Sequence, residues 1–289
     1  MSYRIFTDAT ADLTQEMMEG LPEVTVIPMD ITLGDRPYTY GPGGNITVEE
    51  FYAAQRAGQF ASTSQIRPAA YVQAFGDCLR RGMDVLYLCF TSGMSGTFQT
   101  ACLCAEEVHE QYPNRRIACV DTLCASVGEG FLVREAAKCQ AGGMDFDEIV
   151  RWVEENRLKV CHWFTVDTFD HLKHGGRVSG AAAAVGTLLQ IKPMLHVSKL
   201  GGLEVVEKPR GAKRAIEVQL SRMAKGWMPE VNPRIIVGHG DCLDRAEELA
   251  AKVQAKFPEA QIQIAPIGPI IGAHTGPEML AIIFWGSER

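Results

Sequence analysis

The sequence lacks the features that mark membrane proteins and nucleic-acid-binding proteins. None of its apolar runs reaches the roughly 18 residues that a membrane-spanning helix needs. Lys and Arg number 28 against 35 Asp and Glu, so the net charge is -7 and no basic excess is available to attract nucleic acid or an anionic membrane surface. The first residues, MSYRIFTD, do not resemble a signal peptide. We therefore expect a cytoplasmic globular protein with no nucleic acid partner and no stable membrane insertion.

Signatures of metal sites, nucleotide sites and hydrolases are also missing. The nine cysteines include no CxxC pair, and the closest two, Cys102 and Cys104, fall on a predicted helix. Most of the others lie inside apolar runs, which is typical of reduced core thiols. The chain contains no GxxxxGK[ST], GxSxG or HExxH motif. The sequence therefore predicts neither a metal nor a cofactor.

What the sequence does contain is a turn rich in glycine and hydroxyl groups, residues 90–101 (FTSGMSGTFQTA), between an apolar strand pattern and a helix pattern. Gly93 and Gly96 let the backbone approach a ligand, and the first N–H groups of the helix point at whatever binds there. Neutral hydroxyl donors are added by Ser92, Ser95 and Thr97. Because no lysine accompanies them, a carboxylate or a single phosphate fits better than a nucleotide. The alternative is that Ser95 or Thr97 is only a helix N-cap.

Two further polar segments follow predicted structure in the same way. Asp8 and Asp12 come after a first strand and precede a short helix predicted to start at Leu13; capping is the favoured role for these carboxylates, and ligand binding the alternative. Residues 62–65 (STSQ) precede a helix that Pro68 begins. Between them, residues 24–33 predict one strand, residues 35–45 a loop, and Thr47 with Glu50 a capping box.

The order of patterns predicts an α/β protein with two domains, residues 1–160 and 161–289. In the first half, predicted helices at 68–81, 94–111 and 125–141 alternate with strands at 84–90 and 116–120, which indicates a parallel sheet with helices on both faces. In the second half, residues 194–198 and 203–207 predict a hairpin, so the second sheet should be mixed. Residues 181–191 predict an almost wholly apolar helix that must be buried.

Five stretches resemble one family in the same order along the chain. They are residues 7–13 (TDATADL), 62–65 (STSQ), 91–97 (TSGMSGT), 172–179 (LKHGGRVS) with 191–193 (IKP) behind it, and 271–276 (IGAHTG), where the family has a glycine and histidine turn. Each motif alone is weak, but together they span nearly the whole chain. The sequence therefore resembles the DegV family.

The resemblance implies a protein that encloses one long-chain fatty acid between two α/β domains. Such proteins present the acyl carboxylate to the ATP-binding subunit of a fatty acid kinase, which makes acyl-phosphate for phospholipid synthesis. By resemblance, Thr63 and Ser95 donate hydroxyl hydrogen bonds to the carboxylate, with the Gly96 N–H and His274 nearby and Ser92 less certain. Arg177 is implied to lie on the face that meets the kinase. The implied protein is thus a lipid-binding subunit and not itself an enzyme.

The residues fit such a ligand on physical grounds. Two or three charge-assisted hydrogen bonds compensate the burial of a carboxylate, and each buried CH₂ contributes about 0.8 kcal/mol. Residues 181–189 and parts of 262–271 are predicted tunnel walls, with ordinary core as the alternative. Two departures from the family pattern stand out: Met94 replaces the usual Leu, and Ile66 with Arg67 separates Gln65 from Pro68.

A competing hypothesis is a serine-dependent hydrolase or phosphatase acting on a small ester. Ser92 or Ser95 would be its nucleophile and His274 or His239 the base. Such an enzyme needs the base within hydrogen-bond reach and a third group that orients it. A binder of some other amphiphile, without a kinase, also stays open.

Overall fold

Thirteen strands and nine α-helices are found in the described part of the chain, residues 2–178 and 191–289 of a computed structural model. The strands are β1 (Tyr3–Asp8), β2 (Thr25–Ile27), β3 (Met29–Leu33), β4 (Arg36–Tyr40), β5 (Ala61–Thr63), β6 (Asp84–Cys89), β7 (Ile117–Asp121), β8 (Val160–Thr165), β9 (Met194–Val197), β10 (Leu203–Glu207), β11 (Arg234–His239), β12 (Gln261–Pro266) and β13 (Leu280–Trp285). The helices are α1 (Val48–Arg56), α2 (Pro68–Arg80), α3 (Thr97–Gln111), α4 (Ser126–Ala141), α5 (Phe146–Asn156), α6 (Asp170–His174), α7 (Ala212–Gly226), α8 (Leu243–Lys256) and α9 (Pro269–Thr275). Short 3₁₀ helices cover Ala9–Ala11, Glu16–Met18 and Arg157–Lys159.

The first half of the chain contains the predicted parallel sheet. Its strands lie in the order β2-β1-β6-β7, and every pair is parallel. The residues of β6 are all buried, as expected for a central strand covered on both faces. Helices α2 and α3 pack together on one face, while α4 crosses the other. The alternating pattern of strand and helix is therefore confirmed.

A small antiparallel sheet, β4-β3-β5, corrects two predictions. Residues 24–33 form two strands because Pro28, which has no N–H to donate to a ladder, separates β2 from β3. Residues 35–45, predicted to be a loop, contain β4. This strand is an edge strand, where Pro37 is tolerated. The short helix predicted from Leu13 is replaced by the 3₁₀ helices Ala9–Ala11 and Glu16–Met18.

The second half forms the predicted mixed sheet, in the order β10-β9-β8-β13-β11-β12. Only β11 and β12 are parallel, and β9 with β10 forms the predicted hairpin. One face of this sheet packs against α7 and α8. The other face packs against α4, which also contacts β1 of the parallel sheet. The predicted division at residue 160 coincides with the first residue of β8 and stays a prediction.

Local signals at helix ends explain where two helices begin. The capping box predicted at Thr47 and Glu50 is formed, and a second capping box joins Asp145 and Glu148. Residues 271–276, predicted to be a turn, belong mostly to α9. Gly272 misleads because it is a packing glycine: a Cβ there would lie 2.7 Å from the Tyr52 hydroxyl oxygen on α1. Glycine in this helix therefore permits a close helix contact.

Three other predictions concern residues 181–191, the cysteines and membrane-spanning helices. The helix predicted at 181–191 lies outside the described residues except for Ile191, which forms an isolated bridge with Arg210. All nine cysteines are free thiols, and six are buried, as predicted. In the described ranges, no helix has both the length and the apolarity to cross a bilayer.

Candidate functional site

A cavity lies between the carboxyl ends of the parallel strands and one face of the mixed sheet. Its volume, measured as the space open to the centre of a water molecule, is about 80 Å³. Its walls are mostly apolar, with Phe90 from the end of β6, Phe164 from β8 and Ile283 from β13 among them. This edge is where open α/β sheets bind ligands, since the loops after parallel strands converge there.

Four of the predicted site residues lie around one end of this cavity. Thr63, Ser95, His274 and Arg177 all line it. Thr63 ends β5, and His274 is in the last turn of α9, so segments far apart in sequence meet here. Thr63 Oγ1 and His274 Nε2 are 2.9 Å apart. Gly96 follows Ser95 and is the N-cap of α3, so its backbone is at the same end.

The N-cap alternative considered for Ser95 and Thr97 is wrong, because Gly96 is the N-cap of α3. Ser95 Oγ accepts the backbone N–H of Thr97, the first residue of α3, at 3.2 Å and lies 2.7 Å from Thr97 Oγ1. The ligand-binding role of Ser95 stays a prediction, and the side chain lines the cavity. Ser92 does not line the cavity, and its N–H donates to Asp121 Oδ1 at 3.1 Å.

His274 is a neutral imidazole at pH 7. Burial, followed by the positive charge of Arg177 and then by His174, lowers its pKa to about 4. Within the described residues Nδ1 has no hydrogen-bond partner. A proton on Nδ1 would be a buried donor without an acceptor, which is the costlier arrangement. We therefore place the proton on Nε2, from which it is donated to Thr63 Oγ1, and the Thr63 hydroxyl hydrogen stays available to a ligand.

Arg177 connects two loops at the same end of the cavity. Its Nε donates to the Met94 carbonyl at 3.3 Å, and its Nη1 donates to the Gly175 carbonyl. Met94 immediately precedes Ser95, so the guanidinium holds the turn that carries this hydroxyl. The family resemblance implies that Arg177 lies on the face that meets the kinase, and this docking role stays a prediction. In the structure Arg177 is half-buried and forms part of the cavity wall.

A second polar group lies behind the cavity, and the sequence revealed only part of it. Asp8, Asp12 and Glu129 are buried carboxyls, and each has a raised pKa because burial disfavours its charge. For Asp12 the pKa is raised to about 7. Asp8 caps the first 3₁₀ helix by accepting the Thr10 N–H at 3.0 Å, so the capping role predicted for Asp8 is confirmed. Glu129 was missed because it lies inside a helical pattern where acidic residues are usually exposed.

The hydrogen-bond acceptors around Thr7 and Thr10 outnumber the hydrogens of these two hydroxyls. Thr7 Oγ1 lies 2.9 Å from the Leu88 carbonyl oxygen and 3.0 Å from Glu129 Oε1. Thr10 Oγ1 lies 2.5 Å from Asp8 Oδ1 and 2.8 Å from Glu129 Oε2. Two hydroxyl hydrogens cannot satisfy four acceptors. A protonated Glu129 supplies a donor, which agrees with its pKa being raised well above the usual value.

The serine–histidine pairs that the hydrolase hypothesis requires are not formed among the described residues. His274 bonds to Thr63 rather than to Ser95, and no group orients its Nδ1. His239 does not line the cavity, and its Nδ1 accepts the Cys242 N–H at 3.3 Å. Across residues 2–178 and 191–289, no cluster of three His, Cys, Asp or Glu residues has a geometry that could hold a metal ion.

Comparison with known proteins identifies the family. The family model for uncharacterised proteins of the DegV family matches residues 2–286. The chain belongs to the DegV family. A DegV domain-containing protein of Clostridium perfringens is 39% identical over 285 residues, which are 99% of this chain and 98% of that one.

Solved structures of the DegV family share this fold. A DegV family protein from Thermus thermophilus, described as binding fatty acid, is 30% identical, with a TM-score of 0.85 and coverage of 99% of this chain and 100% of that one. The fatty acid kinase B3 protein of Streptococcus pneumoniae, loaded with linoleic acid, has a TM-score of 0.87 with the same coverage. At 21% identity this second likeness shows the fold alone. The predicted family and the α/β fold are confirmed.

Proposed function

We propose that the protein binds one long-chain fatty acid, with its carboxylate at Thr63, Ser95, the Gly96 N–H and His274 and its tail in the cavity. The observation that carries this proposal is the distribution of polarity: neutral donors and one arginine converge at one end, and apolar side chains continue from there. A fatty acid has the same distribution. The fatty acid-binding relative from Thermus thermophilus supports the proposal.

The head-group donors suit a carboxylate that must be bound and later released. The Thr63 and Ser95 hydroxyls are neutral donors, and the neutral His274 orients Thr63 by donating to its oxygen, so the carboxylate gains hydrogen bonds without a full ion pair. Arg177 is the only cation among the described lining residues. Most of the affinity then comes from the tail, at about 0.8 kcal/mol for each buried CH₂.

We further propose that the protein is a substrate-presenting subunit and not an enzyme. The family resemblance implies transfer of phosphate from ATP to the bound carboxylate by a separate kinase subunit. The position of Arg177, beside the head-group turn and only half-buried, supports this assignment because a guanidinium there can meet both the carboxylate and an approaching phosphoryl group. Under this proposal the protein acts in the cytoplasm, where ATP and the kinase are found.

The test is native mass spectrometry of the purified protein, followed by fatty acid exchange into head-group variants. A co-purified long-chain acid is expected. Thr63→Val keeps the shape of the side chain and removes its hydroxyl, so fatty acid affinity should fall by roughly 1.5 to 3 kcal/mol, the range for a hydrogen bond to a charged group. Ser92→Ala is the matched control and should bind normally, because Ser92 lies outside the cavity lining.

A different outcome would favour the hydrolase hypothesis. Protein that carries no lipid and turns over an ester, with turnover lost in Ser95→Ala, would replace the binding proposal. Equal fatty acid affinity in wild type and Thr63→Val would remove Thr63 from the head-group site.

A further inference from the structure

The cavity wall carries several hydroxyls that the proposed function does not use, and two of them, those of Thr10 and Ser126, are bonded to buried carboxyls. Thr10 lies in the first 3₁₀ helix after β1, and Ser126 is the first residue of α4. Both line the cavity, although Thr10 is only 3% exposed and Ser126 only 6%. They lie among apolar lining residues such as Val127 and Ile267. An apolar tail alone gives these two oxygens no hydrogen-bond partner in the cavity.

Both hydroxyl hydrogens are already committed away from the cavity. Ser126 Oγ donates to Asp12 Oδ2 at 2.6 Å, and Thr10 Oγ1 donates to Asp8 Oδ1 at 2.5 Å. A hydroxyl has one hydrogen and two lone pairs, so each oxygen has acceptor capacity left. The carboxyls behind them strengthen this acceptor character. Asp12 Oδ1 itself is buried and has no hydrogen bond of good geometry within the described residues.

Helix α9 gives an approximate scale for the separation of Ser126 from the head group. The Asp12 carboxylate lies between Ser126 and Gly268, because a Cβ added to Gly268 would overlap Asp12 Oδ1. Gly268 is the N-cap of α9, and His274 is six residues further along that helix. Six residues of helix span about 9 Å. With C–C bonds of about 1.5 Å, an extended tail reaches its middle carbons over that distance.

We propose that Ser126 and Thr10 form a mid-chain subsite that accepts a hydrogen bond from a hydroxyl group on the fatty acid tail. This inference rests on the proposed function and adds a ligand class to it: long-chain acids with a hydroxyl near the middle of the chain. The subsite distinguishes ligands by whether their polar group donates or accepts the hydrogen bond. A hydroxyl on the tail donates its one hydrogen to these oxygens, making one net hydrogen bond, whereas a keto group at the same carbon is only an acceptor and meets their lone pairs.

The experiment compares three ligands that differ at one carbon: stearic acid, 10-hydroxystearic acid and 10-oxostearic acid. Dissociation constants are measured by competition in native mass spectrometry on the wild-type protein. We expect 10-hydroxystearic acid to bind about three- to tenfold more tightly than stearic acid, the gain of one net hydrogen bond. The 10-oxo acid should bind no more tightly than stearic acid.

The key variant is Ser126→Gly, which should remove the preference for the hydroxy acid. Ser126 has a φ of 55°, in the left-handed region that glycine adopts without strain, so the backbone is not a reason for this variant to misfold. Thr275→Val is the matched control. Its hydroxyl also lines the cavity, but Thr275 is next to His274 at the head-group end and its hydroxyl donates to a neutral carbonyl, that of Ile271 at 3.2 Å, so its removal should leave the preference unchanged.

The outcomes separate this inference from the function on which it rests. If stearic acid itself does not bind, the fatty acid proposal fails. If stearic acid binds but the hydroxy acid has no advantage in the wild type, the subsite is wrong while fatty acid binding stands. A preference for the 10-oxo acid, or a hydroxyl preference that survives in Ser126→Gly, would likewise overturn the assignment. The wild-type comparison decides the question even if the variant does not fold.

Discussion

At the scale of single residues, Gly175 permits close packing in the proposed head-group site because it has no side chain. A Cβ at Gly175 would overlap His274 Nδ1, so the backbone after α6 lies directly against the imidazole. This contact holds the imidazole ring where its Nε2 lies within hydrogen-bond distance of Thr63 Oγ1. The backbone of Gly175 is in the right-handed helical region, which any residue can adopt. Glycine is therefore needed here for lack of space and not for its dihedral angles.

Gly175→Ala should therefore displace His274 and weaken fatty acid binding by about tenfold, since one charge-assisted hydrogen bond and its geometry are lost. Gly176→Ala is the control. Gly176 has a φ of 69° and open space around its Cβ position, so alanine there should cost about 1 kcal/mol of stability and leave affinity unchanged. Fatty acid exchange and thermal melting measure both effects. Equal affinity in the two variants would contradict the packing role.

At the scale of elements, α4 carries a buried carboxyl with a raised pKa into the core between the two sheets. Glu129 is fully buried, and burial, with Asp8 second, raises its pKa well above the usual value. A carboxyl with a raised folded-state pKa stabilises the fold fully below the unfolded pKa of about 4.3, and that contribution is lost as the pH rises through the folded-state pKa. The pKa of Asp12, raised to about 7, has the same sign.

Glu129→Gln should flatten the decline of stability with rising pH. Glutamine keeps the shape, cannot ionise and can still donate to a threonine hydroxyl. The slope of the unfolding free energy should become less negative by up to about 1.4 kcal/mol per pH unit. Urea unfolding between pH 5 and pH 8 measures the slope. Glu154→Gln, on the exposed side of α5, removes the same charge and should leave the slope as in wild type.

Elements also show what a sequence can predict and what it cannot. The capping boxes at Thr47 and Asp145 and the hairpin of β9 and β10 were predictable because their signals are local. Helix α9 was missed because Gly272 imitates a turn signal while serving a contact with α1. The roles of Ser126 and Glu129 were not predicted, because they depend on contacts with Asp12 and Thr10, which lie more than 100 residues away in the sequence.

At the scale of the whole molecule, the proposed head-group site is formed by residues from both halves of the chain. Thr63 and Ser95 come from the first half, while His274 and Arg177 come from the second. The halves are tied around the site by Arg177 to the Met94 carbonyl and by Thr91 Oγ1 to the Gly201 carbonyl at 3.0 Å. Arg56, the last residue of α1, forms ion pairs with Asp241 and with Glu278 of the second half. A ligand bound here therefore contacts both halves and stabilises their association by mass action.

This shared site allows lipid binding and phosphate transfer to be separated by one substitution. Arg177→Ala should lower fatty acid affinity by less than about fivefold, because the buried tail supplies most of the binding free energy. It should reduce acyl-phosphate formation with a cognate kinase at least about tenfold more than it reduces affinity, since a guanidinium steadies a transferring phosphoryl group. Arg177→Lys should not restore transfer, because lysine lacks the planar fork that reaches Met94 and a phosphate oxygen together. The assay combines purified kinase, ATP and lipid-loaded protein with a lipid-exchange measurement on the same samples. If affinity and phosphate transfer fall by the same factor, Arg177 acts only by holding the fatty acid; if neither changes, it has no part in presenting it.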